Sequence, residues 1–198
     1  MFNFLIWHMA KNEKKIPLGF KNDIFAVLSA FKKQDQRKLR KLNDKFIEDA
    51  VIDFRKSIYE MAVISYVLGK IASKPRFSSK RYGKKFREIT GALSRAAKSV
   101  SKNDERVILE HLKEVEKSVS SLEKKDERYL TGLISKGRLK VAAIMYAQGV
   151  SLGVASSVTG IDKQEIMDYA GKTMMFDRVK EEKSIRERMK KARKLIGG

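Results

Sequence analysis

The chain has 198 residues, and its 44 lysines and arginines against 24 acidic residues give a formal net charge of +20. It has no cysteine, which excludes disulfides and cysteine-based zinc sites and fits a reducing cytoplasm. Its only histidines are His8 and His111, so we expect no histidine-based metal site and no cofactor.

Helical periodicity dominates the sequence, and only Pro17 and Pro75 interrupt it as prolines. No stretch alternates polar and apolar residues as a half-buried strand would. We therefore predict an all-α fold, a helical bundle around one long central helix. The predicted organisation is a poorly ordered N-terminus at 1–18, a bundle over 19–130, a helix-turn-helix region over 131–175 and a basic C-terminal helix over 176–198.

The first ten residues, MFNFLIWHMA, are apolar but too few to span a bilayer. They lack the basic region and cleavage site of a signal peptide. We expect the true start to be Met9, with Phe2–His8 as upstream sequence or a loosely docked tail. Because this stretch carries no lysine or arginine, we expect no membrane partner.

The longest predicted helix covers Asp44–Ser73, after a short helix over Asn22–Lys33 that is capped at Asn22 or Asp23. Apolar or small side chains recur through 47–72 at alternating steps of four and three residues, a heptad pattern. Between positions 58 and 68 only Glu60 is charged, so other helices must surround this half. The same seam is a candidate homodimer interface.

A strongly basic stretch surrounds Pro75. Between residues 70 and 102, eleven cations face one acid, Glu88, and this net charge of +10 predicts contact with a polyanion. We interpret KPRFSSKRYGKKFRE as a loop in which cations neutralise phosphates and aromatic rings stack on bases. Tyr82 is expected to be exposed, whereas Phe86 begins an apolar stripe and is expected to be packed. The predicted contacts are Lys74, Arg76, Lys80, Arg81, Tyr82, Lys84, Lys85 and Arg87.

Two antiparallel helices are predicted next, the second capped at Asn103 or Asp104, and then a helix over about Asp126–Gln148. A final helix over Asp177–Ile196 has one apolar and one basic side. It can dock on the bundle, extend as a solvated arm or track a phosphate backbone. Its predicted phosphate contacts are Arg186, Lys190, Lys191, Arg193 and Lys194.

The stretch Ser151–Ala170, SLGVASSVTGIDKQEIMDYA, has the spacing of a helix-turn-helix. Ser151 and Asp162 are predicted N-caps, and Gly160 can adopt the positive φ that the turn needs. In a DNA-binding version the start of the second helix enters the major groove. The predicted contacts there are Lys163, Gln164 and Lys172.

Residues Ala143–Lys172 resemble the helix-turn-helix segments of small prokaryotic, often archaeal, DNA-binding regulators and antitoxins. The matching residues are Ser151, Leu152, Gly153, Ala155, Gly160 and Glu165, whereas Ser156 and Thr159 depart from the pattern by being polar. The likeness covers about thirty residues of the chain. It implies a DNA-binding or antitoxin-like role. Because Glu165 and Asp168 oppose a polyanion, a docking corner for a protein partner is the alternative.

No glycine-rich phosphate cradle occurs. Arg106 and His111 fit the Arg-x4-6-His motif of HEPN-type RNases, a resemblance that implies a histidine acting on the ribose 2′-OH beside a phosphate-stabilising arginine. Val107 departs from the polar residue usual in that motif. We predict a non-enzymatic nucleic-acid-binding protein, foremost a helix-turn-helix DNA-binding regulator, with DNA favoured over RNA. The alternatives are an RNA- or ribosome-associated protein, an antitoxin-like or assembly module, and the metal-independent RNase.

Overall fold

A computed structural model describes residues 16–74, 77, 82–123 and 132–178. Over these ranges the chain is helical and contains no strand, so the predicted all-α class is confirmed. The helices are α1 Leu18–Lys32, α2 Gln36–Ile52, α3 Lys56–Ala72, α4 Gly83–Ser99, α5 Glu105–Glu123, α6 Leu133–Ala147, α7 Leu152–Thr159, α8 Lys163–Lys172 and α9 Met175–Arg178, with a 3-10 turn at Val100–Lys102. Residues 1–15 of the expected N-terminal segment and the C-terminal helix beyond residue 178 lie outside the described residues. Ile16, which belongs to the same expected segment, is buried, and its N donates to Asn103 Oδ1 at 2.7 Å.

The stretch predicted as one long helix is two helices, α2 and α3, which pack against each other. The backbone leaves helical geometry at Asp53 (φ −116°, ψ 96°) and at Arg55 (φ −79°, ψ 131°). The prediction of a single helix is therefore wrong. The heptad pattern runs through the break without a glycine or proline to mark it, and Phe54, one of its apolar positions, is 48% exposed.

Helix α3 lies inside the bundle, since thirteen of its 17 residues are buried. It contacts α1, α2, α5, α6 and α7, which confirms the expectation that its apolar surface is surrounded. The seam positions Ile47, Ile58, Met61 and Leu68 are all within 2% of full burial. The side chains at these positions of the candidate homodimer seam therefore pack within the chain's own core.

Helices α1, α4 and α5 form one side of the bundle, where α4 packs on both α1 and α5. The chain reverses between α4 and α5 at Asn103, whose φ of 53° is left-handed, and Asp104 Oδ1 accepts from Arg106 N at 2.9 Å. Helix α1 begins at Leu18, so a cap at Asn22 or Asp23 is wrong. Asp23 lies within the helix and instead pairs with Lys45 Nζ at 2.6 Å.

Helix α6 contacts α3 and carries the short helices α7 and α8 on its surface. It begins after Gly132, which has a left-handed φ of 66°, so the predicted start near residue 126 is wrong. Glycine tolerates this conformation, and the turn separates α6 from the preceding segment. Across the described ranges, no helix is long and apolar enough to cross a bilayer.

Candidate nucleic-acid interface

Local caps fix the bounds of α7 and α8. Ser151 Oγ accepts from Val154 N at 3.3 Å, and Asp162 Oδ1 accepts from Gln164 N at 2.8 Å. Gly160 ends α7 with a φ of 72°. Ser156 and Thr159, the two polar residues that depart from the regulator pattern, hydrogen-bond the backbone of the turn. Ser156 Oγ donates to Ile161 O at 2.7 Å, and Thr159 Oγ1 accepts from Ile161 N at 3.2 Å. The pair is thus held at a defined angle by hydrogen bonds that the sequence encodes locally.

The outer face of α8 is open to solvent. Ile166 is buried beneath it, and Tyr169 is half-buried. Gln164 Nε2 donates to Asp168 Oδ1 at 2.7 Å, which ties one of the predicted contacts to an acid on the same face. The exposed residues of this face include Lys163, Gln164, Met167, Asp168 and Lys172.

The basic residues after Tyr82 belong to a helix and not to a loop. Lys84, Lys85 and Arg87 lie in the first turns of α4, which has no acid in its first turn and no side-chain cap. Lys85 Nζ pairs with Glu88 at 2.8 Å, whereas Lys84 and Arg87 are exposed. Cations at the positive end of a helix dipole are each unfavourable by about 0.3–1 kcal/mol.

Tyr82 is only 5% exposed, so the prediction of an exposed base-stacking ring is wrong. Its ring lies 5.0 Å from that of Phe77, which is also buried. Phe86 packs as expected, stacked on Phe31 at 4.7 Å. The aromatic side chains of this region therefore serve the core.

The remaining predicted contacts are divided between the surface and the undescribed ranges. Lys74 is exposed at the end of the α3 segment. The predicted contacts that lie outside the described residues are Arg76, Lys80, Arg81, Arg186, Lys190, Lys191, Arg193 and Lys194.

The RNase motif lies on α5. His111 Nδ1 is 3.4 Å from Glu114 Oε1, and Glu114 also pairs with Arg95 on α4. The Arg95 guanidinium holds the pKa of the Glu114 carboxyl below its usual value. Arg106 is exposed five residues before His111, a separation of about 140° around a helix. No group of acidic or histidine side chains within the described ranges is arranged to hold a metal ion.

A buried ion cluster joins three helices and was not predicted. Arg138 of α6 meets Glu60 of α3 with Nη1–Oε1 at 3.0 Å and Nη2–Oε2 at 2.9 Å, and Nη2 also contacts Glu116 of α5. Burial raises the pKa of Glu60 to about 7, with Arg138 opposing and Glu116 adding to the shift. Burial also raises the pKa of the neighbouring Tyr59 hydroxyl. The isolated charge of Glu60 in an apolar segment was the available signal for a buried partner.

A basic cavity was also missed. It opens between α2, α3 and α6 and has a volume of about 270 Å³. Its lining includes Arg40 and Asp44 of α2, Tyr66 and Lys70 of α3, and Lys140 of α6. Arg40 and Asp44 are four residues apart, as are Tyr66 and Lys70, so each pair lies on one face of its helix. This spacing was a weak signal, because nothing in the local sequence indicates that the two helix faces meet.

Comparisons of the chain with protein-family models, with curated proteins and with solved structures found no match.

Proposed function

We propose that this protein binds nucleic acid without catalysing a reaction on it, as a helix-turn-helix DNA-binding regulator. The observation that supports this most is the start of α4, where Lys84 and Arg87 add exposed positive charge to the positive end of a helix. Among the described residues neither one forms an ion pair. A phosphate at this end would interact favourably with both cations and with the helix N-terminus, which would offset the unfavourable charge there.

In this proposal α7 and α8 read the duplex. The start of α8 lies in the major groove, where Gln164 can pair with adenine. Lys163 and Lys172 contact flanking phosphates. The acids Glu165 and Asp168 reduce non-specific attraction, so affinity depends on the cations elsewhere on the chain, whose net charge is +20.

The test is binding to labelled duplex DNA, duplex RNA and single-stranded RNA over a range of salt concentrations. Changing Lys84 and Arg87 to glutamate should lower the slope of log affinity against log salt by about 2 on duplex DNA, since each lost phosphate contact removes about 0.9. The control changes Lys113 and Lys117 to glutamate. These are exposed on α5, and the variant has the same altered charge.

If the salt slope fell equally in the two variants, net charge alone would drive binding, and the proposed contact at α4 would be wrong. Weak binding to all three nucleic acids at low salt would reject the nucleic-acid proposal itself. A clear preference for either RNA would replace the DNA regulator with the RNA-associated alternative.

A second candidate is a protein-interaction module that uses the α7–α8 corner. Six large apolar side chains are exposed among the described residues. Four of them lie between residues 152 and 178, namely Val154, Met167, Met174 and Phe176. Exposed apolar side chains that form a contiguous patch are typical of a docking surface, and these four are concentrated in one part of the sequence. Sedimentation velocity at low and high salt tests self-association through this corner. Salt-insensitive association that Met167→Glu abolishes would favour this candidate.

A further inference from the structure

The cavity between α2, α3 and α6 carries an excess of positive charge. Arg40, Lys70 and Lys140 line it together with one carboxylate, Asp44. Within the described part of the chain none of the three cations forms an ion pair. The cavity therefore has a net positive charge that the surrounding helices leave unneutralised.

Tyr66 organises the two ammonium groups. Its ring centroid lies 4.8 Å from Lys140 Nζ and 5.4 Å from Lys70 Nζ, both within cation–π range. Burial lowers the pKa of Lys140, Lys70 and Arg40 lower it further, and Asp44 opposes them. An anion bound here would offset this mutual repulsion.

Uncharged polar side chains, Asn43 and Ser65, also line the cavity. Asn43 Nδ2 donates to Ala62 O at 2.7 Å, and Ser65 Oγ donates to the same carbonyl at 3.0 Å. One N–H of Asn43 and the hydroxyl proton of Ser65 are thus used within the protein. Ser65 is fully buried, whereas Asn43 is slightly exposed and its Oδ1 remains able to accept. The cavity therefore combines cationic groups with acceptor oxygens on Asn43 and Asp44, an arrangement suited to an anion that also carries hydroxyl groups.

We propose that this cavity binds a small phosphate monoester with free hydroxyl groups, such as a sugar phosphate. Arg40 offers a forked guanidinium, and Lys70 and Lys140 offer point charges, which together hold the phosphate. Asn43 and Asp44 accept from the ligand's hydroxyl groups. The volume of about 270 Å³ admits a ligand of this size. This site is separate from the residues of the proposed nucleic-acid interface and goes beyond that function.

The test measures binding by calorimetry with ribose 5-phosphate, inorganic phosphate and ribose as separate probes. Ribose 5-phosphate should bind about tenfold or more tightly than either of the others, because it alone can use both the cations and the hydroxyl acceptors of the cavity. Lys140→Gln should weaken its binding by about tenfold or more. Arg40→Gln, at an exposed position that does not threaten folding, should weaken binding in the same direction.

Lys136→Gln is the matched control, since Lys136 is exposed one turn earlier on α6 and does not line the cavity. It should bind ribose 5-phosphate as the unchanged protein does. No binding at millimolar concentration, or equal losses in Lys140→Gln and Lys136→Gln, would overturn the proposal. It would also be overturned if ribose 5-phosphate bound no better than phosphate while a DNA oligonucleotide displaced both, because the cavity would then belong to a nucleic-acid surface.

Discussion

Arg138 and Glu60 lie 78 residues apart in sequence and meet through two contacts, at 3.0 and 2.9 Å, where α6 packs on α3. Glu60 is 6% exposed, so its carboxylate has little access to water. Breaking a buried pair by removing one partner leaves an uncompensated charge. The contact therefore ties α6 to α3 and positions the helices that follow α6.

Replacing Arg138 with methionine should lower the free energy of unfolding by about 3–5 kcal/mol near pH 8. The reason is the stranded Glu60 carboxylate. The control is Arg95→Met, which removes the pair between Arg95 and Glu114 at the surface and should change stability by no more than about 1 kcal/mol. Urea unfolding followed by circular dichroism measures both. Equal effects in the two variants would contradict the buried role of Arg138.

The Glu60 carboxyl should make stability depend on pH. Its folded pKa of about 7 is above the ordinary value of 4.5, so the folded chain holds more protons than the unfolded chain between these values. The contribution of Glu60 is therefore fully present below pH 4.5 and is lost as pH rises through about 7.

Glu60→Gln should flatten this dependence, because glutamine mimics the protonated acid at every pH. The measurement is the urea midpoint at pH 5 and at pH 8 for both proteins. Glu114→Gln is the control. Arg95 holds the Glu114 pKa below its ordinary value of 4.5, so its pH effect has the opposite sign and falls below pH 4.5. Glu114→Gln should therefore leave the difference between pH 5 and pH 8 as it is in the unchanged protein. An unchanged slope in Glu60→Gln would contradict the assignment.

Gly137 marks the close approach of α6 to α3. A Cβ at this position would lie 3.1 Å from Tyr66 Cδ1 and 3.3 Å from Val67 Cγ2. Gly137→Ala should therefore destabilise the fold by about 1–3 kcal/mol through overpacking, although alanine favours helix. Gly171→Ala in α8 meets nothing within 4 Å and should stabilise by about 0.5–1 kcal/mol. Thermal unfolding of the two variants should move in opposite directions.

The features that were predicted correctly are those that neighbouring residues encode. Ser151, Gly160 and Asp162 set the bounds of α7 and α8, because each acts on backbone groups within three or four residues. Helix α5 follows the same local logic, because Ile108, Val115 and Leu122 recur at helical spacing and are buried.

The features that were missed depend on contacts outside a single helix. The break at Asp53–Arg55 has no local marker and follows from the packing of α2 on α3. Tyr82 is buried with its ring against that of Phe77, a contact that the basic sequence around it does not indicate. The basic cavity needs Lys140 to reach Tyr66 from a helix more than seventy residues later in the chain. Periodicity within one helix carries no information about such partners.

Asp168 gives a specific test of the DNA-reading role proposed for α8. Its exposed carboxylate would repel phosphates if this helix enters the major groove, at about 1 kcal/mol for a nearby charge in water. Asp168→Asn should then raise affinity for duplex DNA by about fivefold at low salt, with a smaller gain at high salt. The amide retains an oxygen that can accept from Gln164 Nε2, so the local hydrogen bond survives.

Glu110→Gln is the matched control for this variant, because Glu110 is an exposed acid on α5 and its replacement changes the net charge equally. Fluorescence anisotropy with one duplex at two salt concentrations measures both variants. A gain confined to Asp168→Asn would place the duplex next to α8. Equal gains would mean that only the overall charge matters. No gain in either would leave α8 facing something other than DNA, which is the expectation of the protein-interaction candidate.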